Sequence, residues 1–230
     1  MKKIFFFFVH IVNRLVLLSV TGLKITKSRI YMLNIRVTNK NQLKFFQCNI
    51  RRSSIAVMGN GNQIVASNSL ISDSTITVEG MNNRVYLKDG VKLRKGLIQI
   101  RGNGCTIEID EDTSFGQIRI VNVGKNNSVS IGKKCLFADD IEIWASDTHS
   151  IYDENGNFIN PEKPVQIGDK VWIGSHVRIL KGVAIGDEAI VGMNSVITKN
   201  IAPKTLNAGN PIKVLKSNIS WSLNYENFPS

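Results

Sequence analysis

The chain has 230 residues, 43% of them hydrophobic and 20% charged, which excludes a disordered polypeptide and allows one large globular domain or two small ones. Its cysteines, Cys48, Cys105 and Cys135, are scattered and odd in number, with no CxxC pair or Cys/His cluster. They exclude a disulfide framework and a structural zinc, and fit buried thiols in a reducing cytoplasm. The net charge of +11 is one-sided: residues 1–101 hold 17 Lys+Arg against 3 Asp+Glu (+14), and residues 102–230 hold 12 against 15 (−3). A field of that sign attracts polyanions: an acidic polysaccharide, a lipid-linked sugar, anionic membrane or nucleic acid.

Met1-Lys2-Lys3 and the apolar run Ile4 to Val9 imitate the start of a secretory signal. His10, Asn13 and Arg14 then interrupt the run, no small-x-small cleavage site follows Val20, and the run is too short to span a bilayer. Two readings of residues 1–30 stay open. One is a cap on the end of the core, with a helix over residues 4–18. The other is an interfacial segment, in which residues 1–20 touch the inner face of the cytoplasmic membrane with Lys2, Lys3 and Arg14 near headgroups.

From residue 31 the chain is repetitive. Asn39-Lys40-Asn41-Gln42-Leu43 looks like a degenerate first copy of a turn built from Gly and Asn. Clearer copies begin at Gly59, Gly80, Gly102 and Gly124, at intervals of 21, 22 and 22 residues. Alternating strands precede them, such as Ile76-Thr77-Val78, Ile98-Gln99-Ile100 and Ile118-Arg119-Ile120, and Ile141-Glu142-Ile143-Trp144 arrives on schedule. Gly and Asn tolerate the positive φ that such a turn needs.

Ser146-Asp147-Thr148-His149 follows that strand, and residues 150–166, with two prolines and Asp153-Glu154-Asn155-Gly156-Asn157, break the repeat and leave the wall as a loop. From Ile167 to Ala202 the chain falls into six consecutive hexads, each opening on Ile or Val and carrying a small or aliphatic fifth residue. A period of six does not suit a helix of 3.6 residues per turn; it suits a short strand plus a tight corner. Both the first and the fifth residue point inward, and three such sides make one triangular coil. The fold class is therefore all-β, a parallel solenoid over residues 31–216, followed by Ala208-Gly209-Asn210-Pro211 and a C-terminal tail, residues 217–230. Periodicity does not reveal the hand of the coil.

The hexads resemble the hexapeptide-repeat acyltransferases, whose fold is the left-handed parallel β-helix. The ordered set Ser146-Asp147-Thr148-His149, Val171-Trp172-Ile173-Gly174 and Ala208-Gly209-Asn210-Pro211 is similar to the branch that O-acetylates bacterial capsules and lipopolysaccharide O-antigens. That resemblance implies a homotrimer with acetyl-CoA bound in the groove between subunits. It also implies an acceptor that is a polysaccharide or lipid-linked oligosaccharide, which the basic half suggests is acidic. No metal is implied.

Acetyl transfer from a thioester needs a base, a stabilised oxyanion and a slot for the pantetheine arm. Of the three histidines, His10 sits in the apolar run, His176 at a solvated hexad position and His149 at the root of the loop with access to solvent. A lone histidine is more often structural, and it is the resemblance of the motif around His149 that implies it is the base. Asp147, two residues earlier on an extended segment, faces the same way and either orients the imidazole or caps a turn. Trp172 matches a tryptophan lining the acceptor or thioester region in the relatives. Gly174, Gly192 and Ser195 are small enough to let pantetheine lie on the backbone, and Lys199, Gly209, Asn210, Pro211 and Lys213 match positions near the nucleotide end of CoA. With no helix N-terminus in view, a backbone amide is the default oxyanion donor, and direct transfer in a ternary complex is preferred. The rivals are a serine or simple-sugar acetyltransferase of the same family and a non-catalytic scaffold of a polysaccharide-synthesis complex. A carbonic anhydrase of this fold needs three histidines per zinc with two close in sequence, which this chain lacks. Nucleic-acid binding would rest on charge alone.

Overall fold

The structure is a computed structural model that describes residues 4–9, 15–20, 22–38 and 40–226. From Leu23 onward the chain winds as a three-sided parallel β-solenoid in which each strand pairs with the strand one coil earlier and one coil later. Three inward stacks make the core. On the first face Ile25, Phe45, Ala66, Leu87, Ile109, Ile131, Ile167 and Ile185 lie in register. The second face stacks Ile30, Ile50, Ile71, Leu93, Phe115, Phe137, Ile173 and Val191. On the third, Ile35, Ile55, Ile76, Ile98, Ile120, Ile143, Ile179 and Ile197 continue the pattern. Each of these stacks runs through eight coils, the first and second faces adding a further rung at Ile201 and Asn207, and all of these side chains are buried. Each buried aliphatic contributes on the order of 1.5–3 kcal/mol, so the core is spread evenly along the axis instead of gathering at one centre.

The two repeat lengths have a structural cause. In the upstream coils the third face is long, Thr75–Met81, Gly96–Asn103 and Ile118–Lys125, and it ends on a stack of glycines, Gly80, Gly102 and Gly124. Behind Gly59, Gly80 and Gly124 an inward asparagine ties successive coils together. Asn83 N–H donates to Asn62 Oδ1 at 2.9 Å, while Asn62 Nδ2 donates to the Gly80 carbonyl at 2.9 Å. Cys105 takes the asparagine's place in its coil, and its N–H donates to Asn83 Oδ1 at 2.9 Å. All three cysteines are buried free thiols, and burial pushes Cys48 and Cys135 up to about 11.

The N-terminal segment is not the expected helix. Ile4–Val9 and Leu15–Val20 are strands, each antiparallel to the first long strand, Leu23–Thr38. Branched and aromatic residues favour a strand, and the first coil offers an unpaired edge to receive them. Lys2, Lys3, His10, Asn13 and Arg14 lie outside the described residues. At the other end Lys213–Ser217 folds back antiparallel on Thr205–Ala208 through a turn with a cis Asn210–Pro211 bond. Among the described residues no helix is long and apolar enough to cross a membrane.

Candidate active site

The strand Ile141–Trp144 ends the third face of its coil, and the next coil begins only at Val165. The excursion between them is an ordered hairpin. Ile159 N–H donates to Ile151 O at 2.9 Å, the Asp153 carboxylate accepts from Asn155 N and Asn157 N at 2.9 and 2.8 Å, and the Tyr152 and Phe158 rings lie 6.1 Å apart. Its return is pinned to the wall, where Glu162 Oε1 accepts from Lys125 N at 2.6 Å and Lys163 N–H donates to Ala145 O at 3.2 Å.

His149 stands at the root of this excursion with an exposed side chain, after a left-handed Thr148 at φ 64°. Its backbone is clamped by Asn160, whose Nδ2 donates to His149 O at 2.9 Å and to Asp147 Oδ2 at 2.8 Å. Lys181 Nζ completes the clamp, donating to Asp147 at 2.5 Å and to the carbonyls of Asn160 and Pro161. The carboxylate of Asp147 therefore faces Lys181 and Asn160, and of the two roles left open for it, orienting the imidazole or capping a turn, the first has no hydrogen bond among the described residues. An opposite charge within reach and an amide donor claim its oxygens first. Lys181, then Asn160, hold its carboxyl below the usual carboxylate range. The folded-state pKa is depressed, so the clamp is fully present above the ordinary aspartate value and fails only as pH falls through the lowered one. Neither Lys181 nor Asn160 carries a sequence signal, since one is an ordinary outward hexad residue and the other a polar residue in a loop.

Asn160→Ala removes both bridging bonds, and with them the bond that Asn160 Oδ1 accepts from Ile151 N at 2.6 Å, without touching the imidazole. It is expected to lower kcat roughly tenfold to a hundredfold while leaving the melting temperature nearly unchanged, as steady-state kinetics beside a thermal melt would register.

The other expected residues fall into two groups. Gly174 and Gly192 stack at the corner between the second and third faces, with Ala208 and the Gly209–Lys213 turn on the next coil. A methyl at Gly174 would lie 2.8 Å from Met193 N, and one at Gly192 2.8 Å from Ala208 Cβ, so coil stacking alone requires both glycines. Ser195 is fully buried and cannot line a ligand slot. Its hydroxyl donates to Gly192 O at 2.8 Å and accepts from Gly209 N at 3.0 Å, which fixes the turn. Lys199 is exposed and stands on a different corner, between the third and first faces. That is the corner of His149, and two coils at about 4.8 Å per coil put them about 10 Å apart along the axis.

Trp172 projects outward from the middle of the second face and is 40% exposed. In a triangular prism that face lies opposite the corner carrying His149, so the two do not meet within one chain. His176 is exposed at its corner, with Nδ1 2.7 Å from Asp140 Oδ2. A depression of about 460 Å³ opens on the third face over Trp144, Ser146, Asp147, Arg178, Leu180 and Val196. Four of the 17 basic residues of the N-terminal half, Arg29, Arg51, Lys92 and Arg94, project from the second face of the first four coils.

Residues 164–199 match the bacterial transferase hexapeptide (six repeats) family. The polysialic acid O-acetyltransferase of Neisseria meningitidis is 37% identical over 132 residues, 56% of this chain and 60% of that protein. The chain thus spans about 60% of the length of that curated relative. The solved structure of the polysialic acid O-acetyltransferase OatWY superposes with a TM-score of 0.74 at 32% identity, covering 80% of this chain and 90% of that one. The polySia-specific acetyltransferase NeuO superposes with a TM-score of 0.72 at 26% identity, covering 89% and 91%. The chain is a left-handed parallel β-helix and belongs to the hexapeptide-repeat acyltransferase family, in the branch of the polysaccharide O-acetyltransferases.

Proposed function

We propose that this chain moves the acetyl group of acetyl-CoA to a hydroxyl of an acidic bacterial cell-surface polysaccharide, of the polysialic acid kind named for its relatives. The observation that carries this reading is the exposed imidazole of His149, held by its backbone at the root of an ordered excursion. His149 takes the proton of the sugar hydroxyl as that oxygen attacks the thioester carbonyl. As the tetrahedral adduct collapses, the C–S bond breaks and the imidazolium returns the proton to the departing thiolate, all within one ternary complex.

The working site lies between subunits of a homotrimer. The corner of one subunit, with His149 and Lys199, meets the second face of its neighbour, with Trp172 and the glycine corner. The arrangement follows from the prism, because neither half reaches the other in one chain and lateral packing of prisms around a threefold axis joins them. Lys199, Lys213 and the Gly209-Asn210-Pro211 turn then sit near the nucleotide end of the CoA, where lysine serves a phosphate as a point charge.

The test supplies acetyl-CoA labelled at its carbonyl carbon to the purified protein with polysialic acid, and with free serine and simple sugars in parallel. Thiol release together with an alkali-labile ester signal on the polymer is the expected result. Acetylation of serine or simple sugars alone would move the chain to the small-molecule acetyltransferases, and failure to bind CoA would leave only a scaffold.

A further inference from the structure

The end of the chain is built back onto the solenoid. After Lys213–Ser217 the described residues return along the second face, where Trp221 packs against Trp172 with ring centroids 5.9 Å apart and planes tilted by 46°. The indole Nε1–H of Trp221 donates to the Lys170 carbonyl at 2.7 Å. This contact closes a groove of about 550 Å³. It is lined by Ser114 and Leu136 on the face itself, by Lys134 and Lys170 at the corner between the first and second faces, and by Trp221 and Asn224 of the tail. Asp112 is the acidic member of the lining. Lys134 has no ion pair among the described residues, and the pair between Lys170 and Glu188 is long, at 3.5 Å.

The position of the groove is informative. Trp172 stands mid-face, with the glycine corner on one edge and the Trp221 groove on the other. Toward the N-terminus the floor continues in register from Trp172 through Leu136 and Ser114 to Lys92. A second depression, of about 320 Å³, lies there against Asn49, Leu70 and Lys92. Arg94, Arg51 and Arg29 flank the same track. From Trp172 to Arg29 is six coil steps, about 29 Å at 4.8 Å per step, which is long enough for several sugar units.

Aromatic rings offer a flat apolar surface to the C–H face of a pyranose, while hydroxyl and amide groups meet its hydroxyls. The Lys134 ammonium, which has no ion pair among the described residues, and beside it the Lys170 ammonium, which shares its charge with Glu188, meet a carboxylate. We propose that the groove closed by Trp221 is the acceptor subsite of this chain, taking a carboxylate-bearing sugar, with the polymer continuing along the second face over Lys92 and Arg94. The inference rests on the acetyltransferase reading and adds to it the face, the residues and the charge rule by which the acceptor is chosen. Trp221 is thus a specificity-determining residue contributed by the tail.

The experiment compares wild type with Lys134→Ala/Lys170→Ala, Trp221→Ala and Trp221→Phe on polysialic acid and on the same polymer with its carboxylates reduced to alcohols. The double lysine variant is expected to raise KM for polysialic acid roughly five- to tenfold, with kcat and KM for acetyl-CoA unchanged, because it removes binding common to ground and transition state. On the reduced polymer it should match wild type. Trp221→Ala should raise KM on both polymers and Trp221→Phe should recover most of that loss, which separates ring stacking from general damage to the tail. An unchanged KM in the lysine variant, or an equal shift on the reduced polymer, overturns the subsite; a rise in KM for acetyl-CoA instead gives the groove to the donor. If wild type turns over no polymer, the acetyltransferase reading fails separately. The groove is then tested by calorimetric binding of polysialic acid, where weakening by the lysine variant supports it and no binding by wild type overturns it.

Discussion

His149→Ala is expected to bind acetyl-CoA as wild type does and to transfer acetyl groups about 10²–10⁴-fold more slowly, the range that a positioned general base contributes. The imidazole is exposed and the surrounding hydrogen bonds run through the His149 carbonyl, so the substitution removes the ring without loosening the clamp made by Asn160, Asp147 and Lys181. Thiol release under saturating acetyl-CoA gives the rate, and calorimetry gives the binding. Because a sugar hydroxyl is a weak nucleophile until its proton is taken, the loss belongs in kcat. A variant that keeps wild-type kcat would leave the enzyme standing and move the base elsewhere. His176 is the remaining described histidine, and Asp140 already engages it at 2.7 Å.

The second large effect concerns folding. Gly80→Ala is expected to prevent formation of the upstream coils or to cost more than about 3–5 kcal/mol, read as a collapse of the thermal transition followed by circular dichroism. Gly80 has φ 112°, and a methyl there would fall on the Gly102 carbonyl oxygen, backbone that cannot swing aside. The same glycine's carbonyl accepts from Asn62 Nδ2 at 2.9 Å, so a shift to relieve the clash also strips the asparagine ladder. Gly156→Ala is the control. Its φ is also positive, at 77°, but nothing lies within 4 Å of the added methyl, and the cost should be about 1 kcal/mol. Similar losses in both variants would mean that positive φ, and not the close approach of stacked coils, governs the corner.

These two sites also mark what the sequence could express. The glycine corner was legible because a solenoid repeats its constraints. Each coil meets the same contact, so Gly59, Gly80, Gly102 and Gly124 recur at the coil length, and the inward Ile and Val positions recur with them. The same logic would have settled Ser195. It is a fifth residue of its hexad, hence inward, and it is buried as that rule requires, although its small size suggested a ligand wall. His149 was legible for the opposite reason, as a titratable residue where the period breaks.

What stayed hidden involves contacts made once. The N-terminal run of aromatic and branched residues suits a buried helix or an edge strand, and only the open edge of the first coil decides between them. Lys181 reaches Asp147 across the excursion, and Trp221 reaches Trp172 across the tail; each meets its partner only after folding, with no period to announce it. Sequence distance misleads on a prism as well. The 23 residues between His149 and Trp172 amount to about one coil plus part of the loop, which leaves proximity feasible, yet the path crosses from a corner to the face opposite it.

That opposition makes the shared site directly measurable. His149→Ala and Trp172→Ala subunits, each nearly inactive alone, are unfolded together in equal amounts, refolded and assayed for acetyl transfer to polysialic acid. If every site takes His149 from one subunit and Trp172 from the next, random trimers hold both intact residues in about one site in four, and activity returns to about a quarter of wild type. If the mixture stays at the level of its two parents, with mixed trimers confirmed by mass, the site does not lie between subunits and the placement of the chemistry on facing corners and faces is wrong.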